Sequence, residues 1–247
     1  MEHSCIVRHF QHFRSLSESD ADLLKTLEQD PVKYRKNATV WSEHEEETHF
    51  FTLKSGWACA FHNLEDGSRQ ILDIFVPGDI IGIRECAFRR RLVSVVTLTE
   101  AELCPFPQDR LAKVFAQSST LAGLFFMISS ADQAILLQRL INLGRRNALV
   151  KLSHFLVEIC ERLKRACVEL DQDFHLPLSQ ALLGDALGLS AVHVNRTVKI
   201  LKEKQLIGRG HGSVDVLDLN GLKEIANFDD SYLERGSLTA LVDGVTE

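Results

Sequence analysis

Residues 178 to 207 read LSQALLGDALGLSAVHVNRTVKILKEKQLI, and this stretch decides the fold of the C-terminal part of the chain. Ser179 is placed to cap a short helix whose apolar residues Leu182, Leu183, Ala186 and Leu187 share one side. Gly188-Leu189-Ser190 then supplies a turn, because glycine accepts positive φ and Ser190 is an N-cap for the next helix. In that second helix Val194, Val198 and Leu201 recur at helical spacing and point inward, which leaves Val192, His193, Asn195, Arg196 and Lys199 outside. Two short helices joined this way, the second polar and basic, make a helix-turn-helix pattern whose second helix fits the DNA major groove.

The charge pattern points the same way. The whole chain is acidic, with 28 basic against 34 acidic residues and a net charge of −6. From Ser190 to Gly212, however, Arg196, Lys199, Lys202, Lys204 and Arg209 face only Glu203, so five minus one gives +4. A local patch of this kind decides where phosphate binds. Arg196 has the forked donors to pair with guanine, Asn195 suits adenine or a phosphate, and Ser179, Ser190, His193 and Lys199 are further DNA-binding candidates. Val192 either touches a thymine methyl or packs, and for all these positions the competing reading is a solvated or packed helix face. After the helix, Gly208 to Ser213 and Val214 to Leu217 read as a turn and a strand. Arg209, His211 and Ser213 are candidates for phosphate contacts from such a wing, with a plain exposed hairpin as the alternative.

Upstream, a helical pattern runs from Ser118 to about Leu143. Leu121, Leu124, Ile128, Ala131 and Ile135 follow a 3-4 spacing that continues to Gln138 and Asn142, while Phe125, Leu136, Leu140 and Leu143 form a second apolar face. One face covers the N-terminal domain and the seam meets the same helix of a second copy, which predicts a parallel homodimer. A helix buried on all sides of a monomer fits the same periodicity. Gly144 is expected to interrupt the helix as a hinge before Arg145-Arg146, after which Leu149, Leu152, Leu156, Ile159 and Leu163 restart an amphipathic helix. Glu169 to Asp173 reads as a surface loop, and the residues past Phe228 as a loosely held tail.

The N-terminal third changes period. Leu16, Leu23, Leu24 and Leu27, with Ser17 and Asp20 as a capping signal, predict helix up to about Asp30. Trp57, Cys59 and Phe61 then alternate, Asp66-Gly67 gives a hairpin signal, and Ile71, Leu72, Ile74 and Phe75 follow. Pro77-Gly78-Asp79 makes another turn before Ile80, Ile81 and Ile83, and a last stretch from Val93 to Leu98 leads to Leu103 and a stop at Pro105-x-Pro107. Short strands divided by turns predict a small antiparallel barrel or sandwich. The fold class is therefore α+β. It comprises a sensor β-roll with an N-terminal helix over 1–117, a dimerisation helix and hinge over 118–144, a winged helix-turn-helix over 145–228, and a flexible tail over 229–247.

Composition narrows the classes. An apolar fraction of 45%, a charged fraction of 25% and only 5 Pro exclude disordered and collagen-like chains. The longest unbroken apolar run, Leu121 to Ile128, falls short of a bilayer span, and Glu2, His3, Arg8 and Arg14 leave no secretory core, so a cytoplasmic protein without a membrane partner is expected. No two of the 6 cysteines lie within four residues and no H-x-x-x-H pair occurs, so no metal site is expected. Most cysteines read as small buried apolar residues, with redox control through Cys59, Cys86 or Cys104 as a lesser possibility. No phosphate-binding Gly loop, nucleophile elbow or paired catalytic carboxylates are found, which argues against an enzyme.

Three motifs, VPGDIIG at 76–82, ELCPF at 102–106 and LGLSAVHVNRTVKIL at 187–201, resemble the CRP/FNR family of bacterial transcription regulators, and the resemblance covers nearly the whole chain. It implies a cyclic-nucleotide-binding-like β-roll that senses a signal and a homodimer that reads a palindromic promoter site in double-stranded DNA, with RNA polymerase as a further partner. Within GIRECAFRRRLVS at 82–94, Arg91 matches the family's phosphate-neutralising Arg, Leu92 stands where a Ser belongs, and Glu85 is offset. Glu85 and Arg91 are thus the effector-binding candidates, while the lost hydroxyl argues against a cyclic nucleotide. Cys5 alone cannot hold the iron–sulfur cluster of the oxygen-sensing branch. Haem stays open, with no His assignable as its axial ligand. Arg196 matches the family's guanine-reading arginine, and Val192 replaces the usual acidic partner of cytosine, so the half-site is expected to differ. The main alternative is a ligand-sensing module that controls a partner protein, with the C-terminal helices as its docking surface.

Overall fold

Alternating apolar residues and turn signals assemble the N-terminal half into two antiparallel sheets. In the computed structural model the described residues are 4–11, 14–26, 28–46, 48–166, 174–208, 210 and 212–234. Helices α1 (Cys5–Gln11) and α2 (Glu18–Lys25) come first, and the Ser17 hydroxyl accepts from the Asp20 amide to cap α2, as the sequence predicts. Eight strands follow: β1 (Val32–Tyr34), β2 (Thr39–Trp41), β3 (His49–Ser55), β4 (Ala58–Asn63), β5 (Arg69–Phe75), β6 (Ile80–Ile81), β7 (Ser94–Thr97) and β8 (Ala101–Pro107). They pair in the orders β1-β8-β3-β6 and β2-β7-β4-β5. Trp41, Leu53, Phe75, Ile81, Val95 and Leu103 fill the space between the sheets.

The strand expected to stop at Pro105-x-Pro107 instead runs through both prolines. Beyond Leu103, β1 no longer pairs with β8, so one side of the strand carries no ladder and tolerates proline.

Next come α3 (Asp109–Gln117) and the long α4 (Ser119–Arg145), which the Ser118 hydroxyl caps by accepting from the Leu121 amide. Gly144 does not interrupt α4. The helix continues through it, and the break falls at Arg146, whose extended backbone leads to Asn147, the N-cap of α5 (Ala148–Arg165). Part of the expected seam is turned inward. Leu121, Leu124 and Ile128 pack with Phe10, Leu24, Phe50 and Phe106 inside this one chain. Ile135 and Asn142 are also buried, and Ala131 and Gln138 are half-buried. The exposed apolar residues of α4 are Phe126, Leu137, Leu140 and Ile141.

By length and composition α4 is apolar enough to cross a membrane, although its unbroken apolar run, Leu121 to Ile128, is too short to predict this. Asp132 and Arg139, however, carry charge in its middle and pair with Arg84 on one side and with Asp73 and Glu158 on the other. Those pairs tie α4 into both halves of the chain.

The C-terminal part holds β9 (Phe174–Leu176), α6 (Gln180–Leu187), α7 (Ala191–Glu203), β10 (Ile207–Gly208), β11 (Val214–Val216) and α8 (Leu219–Ala226). Its core of Leu152, Phe155, Leu156, Leu183, Leu187, Val194, Val198 and Leu201 is continuous with Cys59, Ile71, Ile74 and Val76 of the roll. The expected loop at Glu169 to Asp173 lies outside the described residues, as does most of the expected tail. The tail's described start is held in place. Leu233 is buried, the Tyr232 hydroxyl donates to Glu158 at 3.2 Å, and Arg165 lies 3.4 Å from Asp230.

Candidate nucleic-acid interface

Short-range chemistry builds the helix pair. The Ser179 hydroxyl accepts from the Leu182 amide at 3.2 Å to start α6. Gly188 ends it at φ 60°, where a side chain would be strained. The Ser190 hydroxyl accepts from the His193 amide at 3.4 Å and lies 2.9 Å from His193 Nδ1, fixing the first turn of α7. Both serines thus act on the helices themselves.

Val194, Thr197, Val198 and Leu201 are buried beneath α7, and Thr197 donates to the His193 carbonyl at 2.8 Å. Val192, His193, Asn195, Arg196 and Lys199 all lie on the exposed side, with Val192 at 75% exposure. Lys202 and Lys204 extend the same cationic surface, and Lys199 makes only a loose pair with Glu203 at 3.8 Å. The face can therefore offer guanidinium and ammonium donors to base edges and phosphates from one rigid rod.

The wing is a three-stranded sheet rather than a hairpin, because β9 pairs with β11 and β11 with β10. The polar spacing of Phe174, His175 and Leu176 is too short to betray a strand in the sequence. His175 Nδ1 lies 2.5 Å from the Asp215 carboxylate across it. Arg209 and His211, the expected phosphate contacts of the wing, lie outside the described residues. Ser213 is buried, so its hydroxyl does not face a phosphate.

In the roll, the two effector candidates are turned on each other. Arg91 is buried, stacks 3.8 Å above the Trp41 ring, donates to the His49 carbonyl, and meets Glu85 at 3.4 Å. Glu85 also accepts from the Leu92 amide at 3.1 Å, and burial pushes its carboxyl above the usual range. Gly82, at φ 92°, lets this guanidinium in, since a Cβ there would lie 2.8 Å from Arg91 Nη1. The space left between Trp41, Phe75, Gly82 and Glu85 is about 40 Å³. Leu92 points outward.

Sequence reasoning missed the contact between roll and helix-turn-helix. Arg69 of β5 binds Asp185 of α6 at 2.8 Å, and Gln70 donates to the Asp185 carbonyl at 2.8 Å. Beside it, Asp73 is buried between Arg84 and Arg139, each at 2.6 Å, with Arg162 at 3.7 Å. Burial alone would raise the Asp73 carboxyl, but Arg139, Arg84 and Arg162 outweigh it and hold it well below the usual range. A lone Asp inside the strand RQILDIF was the available signal, since a buried charge needs partners. Among the described residues, no group of three or more His, Cys, Asp or Glu side chains is arranged to hold a metal ion.

Residues 31–118 match the family described as the cyclic nucleotide-binding domain, and residues 150–225 the one described as the Crp-like helix-turn-helix domain. The nitrogen fixation regulation protein FixK of Bradyrhizobium diazoefficiens is 27% identical over 187 residues, 76% of this chain and 78% of that protein. The transcriptional activatory protein AadR of Rhodopseudomonas palustris is 27% identical over 217 residues, 88% of this chain and 89% of its own. The structure of FixK2 from Bradyrhizobium japonicum shares the fold, with a TM-score of 0.71 at 21% identity over 79% of this chain and 96% of that one. With the roll, the capped helix pair and these likenesses together, the chain belongs to the CRP/FNR family of transcription regulators and acts on DNA through its helix-turn-helix.

Proposed function

We propose that the chain works as a homodimer that places two α7 helices in successive major grooves of a palindromic promoter site. The observation that carries this reading is the exposed basic side of α7, set on a fully buried scaffold of Val194, Val198 and Leu201. Arg196 reads guanine, Asn195 reads adenine or a phosphate, and Val192 meets a thymine methyl. Lys199, His193 and the first turn of α7 hold the backbone, joined by Arg209 and His211 from the wing.

The partner helix meets the side of α4 that carries Phe126, Leu137, Leu140 and Ile141, not the seam inferred from periodicity. These residues are 50–68% exposed, and the steps from Phe126 to Gln133, Leu137 and Leu140 are 7, 4 and 3, a heptad-like repeat that suits two parallel helices. RNA polymerase is the further partner of a promoter-bound dimer, and the cytoplasm is where these partners meet.

The β-roll senses something other than a cyclic nucleotide. Arg91 is engaged by Trp41, Glu85 and His49, and about 40 Å³ cannot take a nucleotide. Redox sensing through Cys59 has little support either, because burial pushes its thiol up to about 12 and leaves almost no thiolate. A gel-shift titration at rising salt tests the DNA reading. Affinity should fall steeply as cations release counterions from phosphate, and a flat response would contradict it.

A further inference from the structure

Where the roll, α4 and α5 meet, the charges do not balance. Asp73, Asp79, Asp132 and Glu158 face Arg84, Arg139 and Arg162, so four carboxylates share three guanidiniums. Asp73 and Asp79 each have a guanidinium at 2.6 Å, and Glu158 has Arg139 at 3.2 Å and the Tyr232 hydroxyl at 3.2 Å. Among the described residues Asp132 has only Arg84 Nε, at 3.1 Å, and Arg84 is already bound to Asp73. The surplus negative charge therefore falls on Asp132.

Asp132 opens into a cleft of about 330 Å³ between the Gly78–Ile80 turn, α4, the end of α5 and the Tyr232–Glu234 segment. That volume is in the range of small-molecule pockets and far exceeds the space left inside the roll. Ile80, Met127, Ile128 and Ile135 give it apolar walls. Its charged lining is Asp79, Asp132 and Glu234 against Arg162 and Arg165, three minus two, again one negative charge in excess. His9, Ser130 and Tyr232 complete the polar lining.

We propose that this cleft is a ligand site for a small organic cation, an ammonium group on an apolar body, whose charge sits on Asp132. Burial already pushes the Asp132 carboxyl up to about 6, so a cation there meets a largely buried carboxylate whose guanidinium is shared with Asp73. The site touches all three parts of the chain. A ligand that draws Asp132 from Arg84 changes the partners of Asp73, and through Asp73 those of Arg139 and Arg162 in the helices that carry the DNA-binding part. That coupling to DNA rests on the regulator reading above, whereas the binding itself does not.

The test is calorimetric titration of the full chain with phenethylammonium, beside 2-phenylethanol and 3-phenylpropionate as neutral and anionic counterparts. Phenethylammonium should bind once per chain, at least tenfold tighter than either counterpart. Asp132→Asn should weaken it at least tenfold, and so should Ala131→Phe, which fills the cleft and leaves Asp132 in place. Circular dichroism checks that both variants fold. Equal binding of the alcohol or the carboxylate, or unchanged binding in either folded variant, overturns the site. DNA affinity is then measured with and without phenethylammonium. A severalfold change supports the coupling, and no change overturns it. DNA binding without ligand binding overturns the site alone, and ligand binding without any DNA binding overturns the regulator reading alone.

Discussion

Arg69 of β5 grips Asp185 of α6 through two donors, Nε at 3.1 Å and Nη2 at 2.8 Å, on one carboxylate oxygen. This pair fixes the first helix of the DNA-binding unit against the β-roll. Both side chains are about one-third exposed, so Arg69→Ala should cost about 1 kcal/mol or less in global stability. Its larger effect should be on orientation. Loosening α6 adds an ordering cost to DNA binding, so affinity should drop two- to fivefold with base preference unchanged. Denaturant melts and gel shifts on the same variant check both parts.

The two sides of α4 should respond in opposite ways. Leu124 is fully buried within the chain, so Leu124→Ala should cost about 2–5 kcal/mol and lower the melting temperature. Leu140 is 66% exposed, and Leu140→Glu should leave the monomer fold intact while splitting the dimer. Sedimentation velocity reads the second outcome. A Leu140→Glu dimer as tight as the parent would place the interface elsewhere.

Lys199 and Arg196 should separate affinity from specificity. Lys199→Ala should weaken all DNA sequences alike and lower the salt slope by about 1. The check is a salt series on a specific and a random duplex.

His154 gives the chain an acid-sensitive point. Burial against Phe228 and Tyr232, helped by Arg146, lowers its pKa from 6.5 to about 3. The unfolded chain therefore takes up this proton first, and stability should fall as pH drops below about 6.5 and keep falling towards about 3. Asp132 works in the opposite sense, because its folded pKa of about 6 exceeds the ordinary carboxylate value and the folded state gains the proton first. His154→Gln should flatten the loss of melting temperature between pH 7 and pH 5. An unchanged slope in that variant would assign the acid sensitivity to another group.

The helix-turn-helix was legible because its signals are local. Ser179, Gly188 and Ser190 act within one or two turns of their own positions, and a buried period of Val194, Val198 and Leu201 fixes which side of α7 faces out. The seam of α4 was not legible in the same way. A 3-4 repeat shows that a helix side is buried but not whether the partner is Phe50 and Phe106 of the same chain or a second copy. Gly144 stays helical because helix propensity is weak beside packing, and an exposed glycine costs only about 1 kcal/mol there. The Asp73 cluster was invisible, since Arg84, Arg139 and Arg162 come from three separate elements and share no sequence period.

Selection of binding sites from random DNA, run in parallel on the native chain and on Arg196→Ala, tests the central claim most directly. The native chain should enrich an inverted repeat with half-sites about 34 Å apart, one turn of the duplex. Arg196→Ala should lose about 1–3 kcal/mol of discrimination at one base pair in each half. Enrichment of no repeat, or of the same repeat with the same preference at every position in both proteins, would contradict the account.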